Sequence, residues 1–184
     1  MKKLIVSLLG CLFILNANAD DHAEAPELAA TCTACHGEKG VSNNTLWPNL
    51  AGQQRDYLVQ QTAAFRDGTR ADQGMPAALL EGVSDEQIAE LADYYAAQEQ
   101  AAPAAVEEGA PGQHVRANCV SCHGMNGITV TSVWPNIAAQ QEGYLKKQLL
   151  DYKSGKREHP IMAVITSELT EEQIAAVAKY YSQH

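Results

Sequence analysis

Apolar residues recur at helical spacing in two stretches that mirror each other along the chain. Tyr57, Leu58 and Phe65, with Gln61 between them, fall on one face of a helix predicted over Gln53–Arg66, and Gln140–Lys153 repeats the arrangement with Tyr144 and Leu145. Ile88, Leu91 and Tyr95 mark the buried face of a later helix, as Ile174, Val177 and Tyr181 do near the C-terminus. Both of these helices open on a capping box, Ser84-Asp85-Glu86-Gln87 in one case and Thr170-Glu171-Glu172-Gln173 in the other. Earlier helices are predicted over Pro26–His36 and Gln113–His123. Gly68 and Gly155 stand where a helix end calls for a left-handed residue. No stretch alternates apolar and polar residues convincingly, so the predicted fold is all-α.

The parallel is a tandem duplication. Adding 87 to a residue number in the first copy gives its counterpart in the second. Cys32, Cys35 and His36 become Cys119, Cys122 and His123, and Trp47-Pro48-Asn49-Leu50-Ala51 becomes Trp134-Pro135-Asn136-Ile137-Ala138. Met75 becomes Met162, after which the offset drops to 86 and Tyr94-Tyr95 answer Tyr180-Tyr181. Two copies of so long a period read as two domains, residues 20–99 and 113–184, rather than a solenoid. Gln100 to Gly112, rich in Ala, Pro, Glu and Gly, reads as a moderately extended linker.

Residues 1–19 have the layout of an export signal: Lys2 and Lys3, an apolar run from Leu4 to Leu15, and a small-residue cleavage site at Ala17-Asn18-Ala19. The mature chain is then expected to be exported and to begin near Asp20. The run is too short for a comfortable membrane span, so the expected membrane association is at most peripheral. A lipoprotein signal cleaved before Cys11 is the weaker alternative, because Leu9 fits poorly where such signals carry a small residue. Among 184 residues there are 13 Lys+Arg and 22 Asp+Glu, and losing Lys2 and Lys3 with the leader takes the formal charge from −9 to −11. So acidic a chain is unsuited to nucleic acid or anionic membranes and suits basic docking partners.

With Cys11 removed, all four cysteines lie in two pentads, Cys32-Thr33-Ala34-Cys35-His36 and Cys119-Val120-Ser121-Cys122-His123. Cys-x-x-Cys-His is the attachment signature of c-type haem. Residues i and i+3 share a helical face, so both sulfurs reach one porphyrin, and the following histidine becomes the proximal ligand of its iron. Four cysteines in an exported protein also suggest disulfides, but a disulfide framework does not require His36 and His123. A zinc site or a reactive dithiol fits less well, because adjacent Cys35 and His36 cannot easily reach one tetrahedral ion. Two covalent haems are therefore expected.

Each iron needs a second axial ligand. Met1 is the initiator and Met125 lies too close to His123, which leaves Met75 and Met162, each 39 residues after its histidine on what reads as a loop. Pro48 and Pro135 fall twelve residues after the histidines, where a carbonyl is a natural acceptor for the remaining imidazole N–H. Trp47 and Trp134 are expected at a haem edge, and Tyr94, Tyr95, Tyr180 and Tyr181 either there or in the core. His159 is three residues before Met162, but its counterpart is Asp72, so it reads with His22, His114 and His184 as a surface histidine.

Together these motifs resemble the class I cytochromes c of the two-domain, di-haem type, most closely the cytochrome c4 family. The resemblance spans nearly the whole mature chain: Cys-x-x-Cys-His, Pro-Asn-[Leu/Ile]-Ala-x-Gln, a Tyr-Leu helix, a Gly-x-Arg turn, the methionine segment and a Tyr-Tyr helix. One departure is Pro76 directly after Met75, where the second copy has Ala163. The resemblance implies a monomeric periplasmic carrier that passes single electrons from a quinol-oxidising complex or dehydrogenase to a membrane oxidase or reductase, and no catalysis. Alternatives are the di-haem subunit of a flavocytochrome-type dehydrogenase and a di-haem peroxidase; the latter needs an iron able to lose its methionine.

Overall fold

A computed structural model describes residues 25–72, 74–101 and 109–184. The predicted export signal and most of the linker lie outside the described residues. The first domain contains α1 (Glu27–His36), α2 (Arg55–Arg66) and α3 (Asp85–Ala96), with 3-10 turns at Glu38–Gly40 and Ala77–Leu80. The second contains a 3-10 turn at Val115–Asn118, then α4 (Val120–His123), α5 (Glu142–Ser154), α6 (Pro160–Ser167) and α7 (Glu171–Ser182). Among the described residues there is no strand, only an isolated bridge between Asp72 and Met75.

Both capping boxes are formed. Ser84 Oγ accepts from Gln87 N while Gln87 Oε1 accepts from Ser84 N, and Thr170 and Gln173 repeat the exchange. The helices they start pack on their partners, α3 on α2 and α7 on α5. Leu58, Leu91, Ala92 and Tyr95 close one core, and Leu145, Val177, Ala178 and Tyr181 the other. Each large apolar side chain buried in this way contributes about 1.5–3 kcal/mol.

The structure departs from the sequence-based expectations at four places. The helix predicted over Gln113–His123 is broken into a 3-10 turn and the short α4. The first copy is alanine-rich there, whereas Val115, Asn118 and Val120 have poor helix propensity. The helices predicted from Gln53 and Gln140 start two residues later, at Arg55 and Glu142. Met162 lies within α6 and not on a loop: Pro160 occupies the first turn, and His159 caps it by accepting from Met162 N at 3.4 Å. Met75 stays outside a helix, between Gly74 and Pro76. Gly155 is the left-handed C-cap of α5, but at α2 Asp67 takes that position, with Gly68 left-handed just beyond it.

Gln53 and Gln140, freed from the helices, join the domains. Gln140 Oε1 accepts from Asn49 N (2.7 Å) while its Nε2 donates to Asn49 O (3.0 Å). Gln53 pairs in the same way with Asn136 N (2.7 Å) and O (2.9 Å). All four residues are buried. The asparagine side chains also cross, Asn49 Nδ2 to Ala139 O (2.8 Å) and Asn136 Nδ2 to Gly52 O (3.0 Å). The two copies thus face each other about an approximate twofold axis.

Candidate haem sites

Helix α1 ends at His36 because Gly37 adopts φ +78°, ψ 165°, and α4 ends at His123 with Gly124 at φ +81°, ψ 162°. This backbone region is essentially restricted to glycine. A Cβ on Gly37 would also stand 2.0 Å from Val41 O, and one on Gly124 2.0 Å from Ile128 O. The reversal lets the following loop return a proline carbonyl to the histidine it has just left. Gly37→Ala is therefore expected to destabilise the first domain by about 3 kcal/mol or more, the conformational cost of about 1–3 kcal/mol rising with the clash. Thermal unfolding of the variant measures this.

His36 Nδ1 lies 2.8 Å from Pro48 O, and His123 Nδ1 2.9 Å from Pro135 O. A carbonyl can only accept, so Nδ1 carries the proton in each ring and Nε2 is left with its lone pair. Burial pushes both imidazoles below their ordinary pKa, partly opposed by the proline carbonyls. Both rings are thus neutral at pH 7, the form a metal requires.

Cys32, Cys35, Cys119 and Cys122 are free and half-buried, and no disulfide joins them. Burial raises the Cys32 thiol and pushes Cys119 up to about 11. A reactive dithiol requires the opposite shift, so the thioredoxin-like alternative finds no support in the site.

One cavity is lined by every sequence-predicted site residue: Cys32, Cys35, His36, Pro48 and Met75 from the first copy, and Cys119, Cys122, His123, Pro135 and Met162 from the second. Trp47 and Trp134 line it as well. Tyr95 and Tyr181 are fully buried in the two cores. His159, read from sequence as a surface histidine, is exposed but also borders the cavity. Met125 does not line it and is 66% exposed.

Sequence reasoning missed a polar cluster in the cavity wall. Arg70 donates to Gln61 Oε1 (2.6 Å) in its own domain and to Tyr144 Oη (3.2 Å) and Gln148 Oε1 (3.0 Å) in the other. Arg157 mirrors it, reaching Gln148 Oε1 (2.6 Å), Tyr57 Oη (3.0 Å) and Gln61 Oε1 (2.9 Å). Burial raises the Tyr144 hydroxyl pKa, but Arg70 and Arg157 outweigh it and hold the phenol below its ordinary value. The signal was present, since both arginines recur at the repeat offset, but the pattern showed only a turn.

These residues fit haem. Each pentad offers two thiols on one turn and a neutral imidazole, and an apolar cavity with a methionine faces them. Among the described residues neither Arg70 nor Arg157 has a carboxylate within ion-pairing distance. Half-buried guanidiniums without anions are costly, and the propionates of a porphyrin are suitable partners for them.

The helical scaffold and paired sites define two tandem cytochrome c domains. A family model described as "Cytochrome c" matches residues 109–184, and one described as "Cytochrome C oxidase, cbb3-type, subunit III" matches residues 21–94. The chain is 34% identical to cytochrome c4 of Pseudomonas aeruginosa, with 98% of each chain covered. It is 31% identical to a thiosulfate dehydrogenase electron acceptor of Thiomonas intermedia, covering 96% of this chain and 88% of that one. Among solved structures, cytochrome c4 of Acidithiobacillus ferrooxidans superposes with a TM-score of 0.75 at 29% identity, covering 84% of this chain and 99% of that one. Thiosulfate dehydrogenase TsdBA of Marichromatium purpuratum superposes with a TM-score of 0.71 at 28% identity, covering 84% of this chain and 37% of that one.

The chain belongs to the cytochrome c4 family. It is a di-haem electron-transfer protein with a covalent c-type haem in each cytochrome c domain.

Proposed function

We propose that this protein is a periplasmic shuttle passing single electrons from a quinol-oxidising complex or dehydrogenase to a terminal oxidase or reductase, and that it is not an enzyme. In this reading residues 1–19 are a cleaved export signal, and residues 100–112 link domains at 20–99 and 113–184. The observation that carries it is the pairing of a neutral histidine and a methionine on one cavity in both copies. Cys32, Cys35, Cys119 and Cys122 are the thioether anchors, His36 with Met75 and His123 with Met162 the axial ligands, and Pro48 and Pro135 orient the imidazoles. Bound haem supplies the one-electron change. The chain holds the imidazoles in one tautomer, and with a histidine and a methionine committed to each haem no open position would be left for substrate, which favours transfer over catalysis.

Charge supports a docking polarity. Between residues 27 and 99 eleven carboxylates face four cations, whereas between 113 and 184 six face seven. The first domain therefore suits a partner presenting lysines and arginines, and electron exchange with that partner slows as ionic strength rises. A second reading, the electron-accepting subunit of a dehydrogenase, draws on the relative named as a thiosulfate dehydrogenase electron acceptor. Both readings require two haems. A pyridine haemochrome assay on the periplasmic fraction is expected to give two per chain, and any other count overturns both. Co-purification with a dehydrogenase decides for the second.

A further inference from the structure

The duplication breaks down at one position beside the methionines. Asp72 precedes Met75 by three residues, and its counterpart before Met162 is His159. Asp72 is embedded, with its side chain 13% exposed. Its Oδ1 accepts from Gly74 N at 3.0 Å, and its backbone carbonyl accepts from Met75 N at 3.0 Å, so it shapes the turn that presents Met75. Its Oδ2 reaches across the interface to α5 of the second domain, accepting from Lys147 Nζ at 2.6 Å and Gln148 Nε2 at 3.2 Å. Lys147 is held in turn by Asp151 at 2.6 Å, also largely buried. Burial raises the Asp72 carboxyl pKa, but the hydrogen bonds from Lys147, Gly74 N and Gln148 together hold it below its ordinary value.

Among the described residues no equivalent contact from the first domain holds the second methionine. Lys147 corresponds to Gln60 and Asp151 to Ala64, so the first domain has no cation at the matching position. Among the described residues the His159 side chain hydrogen-bonds only to Met162 N in its own helix. Met162 sits in α6, which maintains its own shape through Pro160 and the His159 cap. Met75, between Gly74 and Pro76, lacks such a helix and depends on its turn.

We infer that Lys147 of the second domain is a positioning residue for Met75 of the first, acting through Asp72 as a clamp across the interface. This rests on Met75 being an axial ligand. Domain contact then governs how firmly the first iron keeps its methionine, whereas the second iron keeps Met162 without help from the first domain. Charge and geometry agree in direction for Lys147: removing it leaves Asp72 and Asp151 uncompensated and loosens the turn, and both changes lower the potential of the first site.

The test titrates the full-length di-haem protein with imidazole, which competes with an axial methionine, and follows loss of the methionine–iron charge-transfer band. Lys147→Gln, which installs the residue of the first copy, and Asp72→Asn, which keeps the size of the side chain, are each compared with the parent. In each variant one haem of the two is expected to bind imidazole about tenfold more tightly, the equivalent of one charge-assisted hydrogen bond, while the other is unchanged. In Lys147→Gln one step of the two-step redox titration also moves to lower potential. His159→Ala is expected to leave the first haem unaffected. If imidazole affinity at both haems is unchanged in Lys147→Gln and in Asp72→Asn, the clamp is wrong. Met75→Ala is the separate control: should it retain the band of both haems, the ligand assignment itself fails.

Discussion

Replacing Met75 or Met162 by alanine lowers the reduction potential of one site by on the order of 0.1 V or more, within the roughly 0.8 V that axial ligation spans. A thioether is a soft ligand that favours reduced iron; without it the position passes to water or stays open. Both methionines line the cavity that the two neutral imidazoles also line, whereas exposed Met125 does not and serves as the control. In each single variant one step of a two-step titration moves and the other stays, and the methionine–iron band falls by half. The opened iron also binds cyanide or imidazole and acquires some peroxide reactivity. A variant in which neither step moves removes that methionine from the ligand set.

The second large effect is at the domain interface. Gln53→Leu and Gln140→Leu each strand a buried peptide N–H and C=O of the facing asparagine. At about 1–3 kcal/mol per unsatisfied group, the two groups stranded by each change cost roughly 2–6 kcal/mol. The two glutamines belong to one interface, so the double variant is not expected to be additive. Its calorimetric unfolding is expected to split from one cooperative transition into two, with each domain still holding its haem. A single sharp transition at the parent temperature would show that the glutamines do not hold the domains together.

The Pro-Asn-[Leu/Ile]-Ala-x-Gln segment shows how far the pattern could be read. Its proline was legible, because a carbonyl twelve residues from a haem-binding histidine has an obvious acceptor role, and the hydrogen bonds at Pro48 and Pro135 follow that geometry. Its asparagine and glutamine were not. Within one copy Gln53 looks like the first residue of an amphipathic helix, and only the other copy, 83 residues away, supplies its partner. Met162 was misplaced for a local reason: Pro160 was not recognised as a helix start, although a proline in the first helical turn is a known signal. His159 and Asp72 are counterparts in the repeat, but only the contact with Lys147 gives their difference a physical meaning.

The sequence by itself determined the two pentads, their histidines, the equidistant methionines, the capping boxes and the duplication. Each is a relation among residues a turn or a fixed repeat apart, and helix geometry and ligand chemistry act at that range. Only the tertiary structure decided that Gln53 and Gln140 lock the domains, that Arg70 and Arg157 share their partners, and that Lys147 of one copy bears on Asp72 of the other. Those are matters of satisfying buried polar groups, and a buried group's partner is chosen by where the second copy comes to rest.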